Sequence, residues 1–257
     1  MINEVANGYV KTEKERGIAT IEFYHPQSNS LPAQLLQTLA EAIDNEGVNS
    51  ATSVIILRST GQKIFCSGAS FNELEKITSA EEGTDFFNGF ARVINAMRKA
   101  PKFIIARVHG KAVGGGVGLA AAADYAIAVE GADIKLSELS AGFGPFVIAP
   151  AVQRKIGLSS FTQLAIDANT WHSAEWAKTK GLYAEVHPEV SEMDNAIQKL
   201  SHTLSNSNSE AMQELKKIFW QGTGDWDELL NERASISGRL ILSDHSRNFI
   251  RNFKLKS

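Results

Sequence analysis

Two runs in this chain, Ser53-Val-Ile-Ile-Leu-Arg58 and Phe103-Ile-Ile-Ala-Arg-Val108, carry no charge over their first four residues. A strand with one wet face alternates apolar and polar residues. A continuous apolar run needs cover on both faces, which a parallel sheet packed with helices supplies. Helical patterns stand before each run. Leu35, Leu36, Leu39, Ala42 and Ile43 share one face at the 3.6-residue period, and Pro32 sits near the start, where a missing N–H costs little. Phe86, Phe90, Val93, Ile94 and Met97 predict an amphipathic helix over 83–99. Further strands are expected at 17–24 and 124–129, with 60–70 as a loop. A glycine-rich turn at 110–116 leads into a short alanine helix. This alternation reads as an α/β fold with mostly parallel pairing. Beyond Pro188 the pattern is helical and more polar, with 201–209 as a linker or helix junction.

The 257 residues suit one large domain, or one with a small appendage. A content of 43% hydrophobic and 21% charged residues excludes a disordered or fibrous chain. The net charge of −3 offers no electrostatic footprint for nucleic acid or an anionic membrane, so neither is an expected partner. A single cysteine, Cys66, excludes an internal disulfide framework and fits a reducing compartment. The first residues lack a basic stretch followed by an apolar core, so no secretory signal is expected and the reading is cytoplasmic. The least charged long run, 112–129, holds four glycines and Asp124 and is too weakly apolar for a membrane span.

Three segments could carry chemistry. Lys63-Ile-Phe-Cys-Ser-Gly-Ala-Ser-Phe71 follows a buried-type strand, and its small residues let backbone N–H groups approach a ligand, although an ordinary tight turn has the same composition. Gly114-Gly-Gly-Val-Gly-Leu119 opens a helix, so free N–H groups and the positive dipole end converge on one point suited to an oxyanion. A dinucleotide fingerprint would need glycine where Leu119 stands, and the Gly-Lys-Ser/Thr of a P-loop is absent. In Lys135-Leu-Ser-Glu138-Leu-Ser-Ala-Gly-Phe-Gly-Pro145 a lone glutamate lies among small and apolar residues. It is either a base whose pKa burial would raise, or a capping or ion-paired carboxylate. The six histidines show no metal-ligand spacing, and Cys66 has no base beside it in sequence. Ser173 and Gly181 bracket a short capped helix.

Taken in order, these pieces resemble the crotonase superfamily, the enoyl-CoA hydratase/isomerase family. His25-Pro26 with Asn29-Ser-Leu31 resembles its first CoA-contacting turn. Phe65-Cys-Ser-Gly-Ala-Ser70 resembles the first oxyanion loop, with Ala69-Ser70 where Ala-Asp is usual. Val113-Gly-Gly-Gly-Val-Gly-Leu119 with Asp124 resembles the second. Ser137-Glu138 through Gly144 resembles the segment of the second catalytic glutamate, and Ala174, Ala177 and Gly181-Leu182-Tyr-Ala-Glu-Val186 resemble the stretch that follows.

The resemblance implies a spiral of ββα turns over residues 1–195. It also implies a helical C-terminal region, 196–257, that packs homotrimers or hexamers built as dimers of trimers. It implies an acyl-CoA thioester substrate, with CoA as part of the substrate and no separate cofactor or metal. The Ala69 and Gly115 amides would hold the acyl oxygen and Glu138 would be the base. Gln27, Ser28, Ser67, Gly68, Ser70, Phe71, Gly114 and Gly118 would contact substrate, with Phe143, Phe146 and Val147 forming an acyl pocket. One position departs from the pattern. Family hydratases carry a first glutamate where this chain has Gly118, and adding water needs one group to activate it and another to deliver a proton. One glutamate suffices to move a proton from carbon 2 to carbon 4. A double-bond isomerase is therefore expected, with a hydratase or a non-catalytic acyl-CoA binder as alternatives.

Overall fold

The two continuous apolar runs lie side by side at the middle of the larger of two sheets. The computed structural model describes residues 2–5 and 8–254. Strands β1 (Ile2–Val5), β2 (Gly8–Glu15) and β3 (Ile18–Tyr24) form an antiparallel meander. Helix α1 (Ala33–Val48) then crosses to β4 (Val54–Ser59), which pairs parallel with β3. A short strand, β5 (Ile64–Cys66), interrupts the expected loop and precedes α2 (Phe71–Leu74) and α3 (Ala80–Lys99). Next come β6 (Phe103–Val108), β7 (Lys111–Val113), α4 (Gly115–Ala122), β8 (Tyr125–Val129) and β9 (Ile134–Lys135). Helices α5 (Ala149–Ile166) and α6 (Ala174–Thr179) lead to β10 (Glu185–His187). The chain ends in α7 (Val190–Ser205), α8 (Ser209–Phe219), α9 (Trp226–Leu240) and α10 (Asp244–Lys254).

The seven-stranded sheet runs β1-β2-β3-β4-β6-β8-β10, parallel from β3 onward. The three-stranded sheet runs β5-β7-β9, also parallel. Val54, Ile55 and Leu57 of β4 and Ile104, Ile105 and Ala106 of β6 are fully buried, as two-sided cover demands. Helix α7 packs on both strands and α4 and α8 on β6, while Leu35, Leu36, Leu39 and Ile43 of α1 and Phe90, Val93 and Met97 of α3 are buried in the same core. Helices α3 and α9 cross so closely that a Cβ on Gly83 would stand 2.6 Å from the Gly238 carbonyl oxygen.

The expected α/β class and the helical C-terminal region are both present. The expected division at 195/196 falls within α7, one unbroken helix against the main sheet. The segment 201–209, expected as a linker or helix junction, is a junction: 201–205 is helical and 206–208 separate α7 from α8. Among the described residues no helix is long and apolar enough to cross a membrane.

A buried polar node ties the C-terminal helices to the core. Asp124 Oδ2 accepts from the Ile104 amide (2.8 Å) and from Lys216 Nζ (2.6 Å), while Oδ1 accepts from Trp220 Nε1 (3.0 Å). Lys216 Nζ also donates to the Met97 carbonyl (2.9 Å), and Lys155 Nζ to the Asp124 carbonyl (3.0 Å). The four elements α3, β6, α5 and α8 thus meet around Asp124 and Lys216, with β6 and α8 on the carboxylate itself.

Candidate active site

The two small-residue loops meet because each follows a strand of the smaller sheet, where β5 and β7 are neighbours. Their approach is close enough to require glycine. Gly68 has φ +83°, and a Cβ there would stand 2.9 Å from the Val113 carbonyl oxygen and 3.2 Å from the Gly115 nitrogen. The turn at 25–31 braces the first loop. Asn29 Nδ2 donates to the carbonyls of Thr60 (2.7 Å) and Ile64 (3.0 Å), and its Oδ1 accepts from the His25 amide (3.1 Å). The Ser67 amide donates to the Ser28 carbonyl (3.2 Å), and the Leu31 amide to the Gly68 carbonyl (2.8 Å).

Gly115 is the first residue of α4, so its N–H has no acceptor within the helix. Among the described residues, neither its amide nor that of Ala69 has a protein acceptor. Gly115 is locked in place, since a Cβ there would collide with the Phe90 ring.

Glu138 sits at the start of a tight coil, where the Phe143 and Gly144 amides both donate to its main-chain carbonyl (3.1 and 3.2 Å). Its side chain lies against Gly114, where a Cβ would stand 2.6 Å from Oε1, and the φ of +52° there also favours glycine. The residue is 9% exposed, and Oε2 is buried with no hydrogen-bond partner. Burial removes the carboxylate from water and pushes its pKa up to about 7. Among the described residues no cation pairs with it, so the ion-pair reading does not describe this glutamate.

One cavity brings these groups together. Ser67, Gly68, Ala69, Gly114, Gly115 and Glu138 form its polar side, and Phe71, Phe87, Phe90, Phe143, Phe146 and Val147 its apolar side. The arrangement presents a carboxyl with one unpartnered oxygen and two free amides to whatever fills an otherwise greasy space. Such a set can remove and return a proton beside a carbonyl held by the amides.

Four expected contact residues do not line this cavity. Gln27 and Ser28 turn their carbonyls to Ser67, the former at 3.4 Å from its hydroxyl, and so support the loop from outside. Ser70 is buried, and its carbonyl begins α2 by accepting from Glu73 and Leu74 (both 3.0 Å). Gly118 packs against Ile148, whose Cγ2 would clash with any Cβ there. In the other direction, Phe87, Phe90, Ile148 and Ser237 line the cavity without having been singled out as contacts. The first two belong to the apolar face of α3, where spacing alone does not separate core from pocket. Ser237 comes from α9, and no local pattern announces it. Cys66 is fully buried and its thiol is pushed up to about 12, the behaviour of a small apolar residue. Among the described residues no group of three His, Cys, Asp or Glu could hold a metal.

Comparisons with known proteins bear on this arrangement. The family model described as enoyl-CoA hydratase/isomerase matches residues 13–245. The mitochondrial methylglutaconyl-CoA hydratase of Homo sapiens is 33% identical over 193 residues, covering 73% of this chain and 55% of that protein. The peroxisomal Delta(3,5)-Delta(2,4)-dienoyl-CoA isomerase of Arabidopsis thaliana is 28% identical over 232 residues, covering 84% and 82%. The chain spans 55–60% of the length of the mammalian hydratases it matches. The crystal structure of an enoyl-CoA hydratase from Bacillus halodurans superposes with a TM-score of 0.85 over 95% of this chain and 99% of the other, at 22% identity, which shows a shared fold. The family match over almost the whole chain and the shared fold agree: the chain belongs to the enoyl-CoA hydratase/isomerase family.

Proposed function

We propose that this chain is an enoyl-CoA isomerase that moves a double bond from carbon 3 to carbon 2 of a CoA thioester, with Glu138 as its single acid–base group. The observation that carries the reading is the buried Glu138 carboxyl, its Oε2 without a hydrogen-bond partner, in a mostly apolar cavity. Its pKa near 7 leaves a substantial carboxylate fraction at neutral pH while keeping the conjugate acid strong enough to return the proton. The Ala69 and Gly115 amides donate to the thioester oxygen. Glu138 takes a proton from carbon 2, and the electrons of that C–H bond move to form an enolate conjugated with the carbon 3–carbon 4 double bond. Glu138 then gives the same proton to carbon 4 as the double bond settles between carbons 2 and 3. The substrate brings its own CoA, and the step uses no other cofactor.

A hydratase is the second reading, favoured by the named activity of the human relative. It lacks a second acid here, since the position that would carry one is Gly118, filled from the side by Ile148. Supplying 3-hexenoyl-CoA and 2-hexenoyl-CoA separately tests the two. Isomerisation of the first, without conversion of the second to a 3-hydroxyacyl product, is expected. Hydration of the second without isomerisation of the first would overturn the proposal in favour of the hydratase.

A further inference from the structure

A second groove adjoins the cavity, and the two share Gly144, Pro145 and Phe146 as a common wall. The groove is floored by apolar side chains, among them Phe161, Trp226 and Leu229, and no carboxylate lines it. Arg154 of α5 and Arg233 of α9 both line it. Four arginines of the described residues are half-buried: Arg58, Arg98, Arg107 and Arg233. Three have a carboxylate, with Arg58 2.8 Å from Glu22, Arg98 3.3 Å from Asp227 and Arg107 2.6 Å from Asp194. Among the described residues Arg233 has none, and nor does the exposed Arg154, whose guanidinium lies 5.4 Å from the centre of the Trp220 ring. A guanidinium partly withdrawn from water gains most from a planar anion that accepts two N–H bonds at once.

We infer that this groove takes the far end of the acyl chain and that Arg233, with Arg154, receives a carboxylate carried there. The preferred substrates are thus CoA thioesters of dicarboxylic acids. The inference rests on the reading of the first cavity as an acyl-CoA site. The shared wall at Gly144–Phe146 places the groove next to the acyl cavity, so the chain passes by displacement of the Phe146 ring, and the unmatched positive charge supplies the selectivity.

Calorimetry tests it on the full chain with saturated thioesters, so that binding is read apart from turnover. Glutaryl-, adipyl- and suberyl-CoA are compared with pentanoyl-, hexanoyl- and octanoyl-CoA. The wild type is expected to bind at least one of the dicarboxylic thioesters about tenfold more tightly than its neutral counterpart, the order of one charge-assisted bidentate contact. Arg233→Met is expected to abolish that preference while changing affinity for the neutral thioester less than threefold, and Arg233→Lys to keep part of it. A lack of preference at every length, or a preference untouched by Arg233→Met, overturns the inference and leaves the isomerase reading standing. Failure of every thioester to bind removes both. A preference as described, with no turnover of either enoyl substrate, removes the isomerase reading alone.

Discussion

Glu138 titrates as its burial dictates, and that has consequences for rate and for stability. Its pKa lies at about 7 against an ordinary value of 4.5, raised by loss of solvation. As a base it works only when ionised, so kcat/KM for 3-enoyl-CoA is expected to rise with pH through about 7 and level off above it. A profile flat from pH 5 to 8 would contradict this. Glu138→Gln keeps the shape and removes the base, so the rate should fall by about 100- to 10,000-fold in the same assay. The effect on stability has the opposite sign. Because the fold favours the neutral acid, its penalty on the native state is absent below about pH 4.5 and grows as pH rises through 7. Glu138→Gln should therefore be more stable than the wild type at pH 8, by on the order of 1–3 kcal/mol, with the gap closing at pH 4. Urea titrations at the two pH values would measure it.

Among the elements, α4 decides most about chemistry. Gly118 has no room for a side chain because Ile148 lies over it. Gly118→Glu alone is expected to lose about 1–3 kcal/mol from overpacking and to gain no hydration. Gly118→Glu with Ile148→Ala should recover part of that stability and allow 2-enoyl-CoA hydration to appear. A stable Gly118→Glu single variant would mean that Ile148 moves easily. The elements also differ in how far local sequence announces them. Strand β6 is bounded as its apolar run suggests, since two-sided burial leaves a local mark. Helix α3 starts at Ala80 rather than Gly83, because Ser79 caps it. The Ser79 hydroxyl accepts from the Glu82 amide (3.1 Å), and Glu82 accepts in return from the Thr78 amide (2.7 Å). Ser79 and Glu82 were a readable signature that the later apolar face overshadowed. Strand β5 has three residues and depends on β7, more than forty positions away, so nothing local marks it. The loops that hold Ala69, Gly115 and Glu138 were legible as small-residue segments and as a resemblance. Their meeting in one cavity, and the exclusion of Gly118 from it, follow from packing that spacing does not encode.

At the scale of the whole molecule, Asp124 and Lys216 join segments ninety residues apart. Each is nearly withdrawn from water, and burial lowers the pKa of Lys216 first, opposed by Asp124 beside it. Asp124→Ala would leave a buried ammonium without its counterion and is expected to cost about 3–5 kcal/mol in urea unfolding. Asp124→Asn should cost less, since its one amide oxygen can take the Oδ2 position and still accept from Ile104 and Lys216, losing the bond from Trp220. Equal losses in the two variants would show that charge contributes little there. This node holds α8 against the core, and α9 beyond it brings Ser237 to the cavity and Arg233 to the groove, so both spaces draw on the C-terminal helices.

The account turns on one carboxyl carrying one proton between two carbons of the substrate. Dideuterating 3-hexenoyl-CoA at carbon 2 and locating the label in the product by NMR tests this most directly. Transfer within a site largely closed to water predicts 2-hexenoyl-CoA with deuterium at carbon 4 in a measurable fraction of molecules. Product with no deuterium at carbon 4, or a 3-hydroxyacyl thioester in its place, would contradict it.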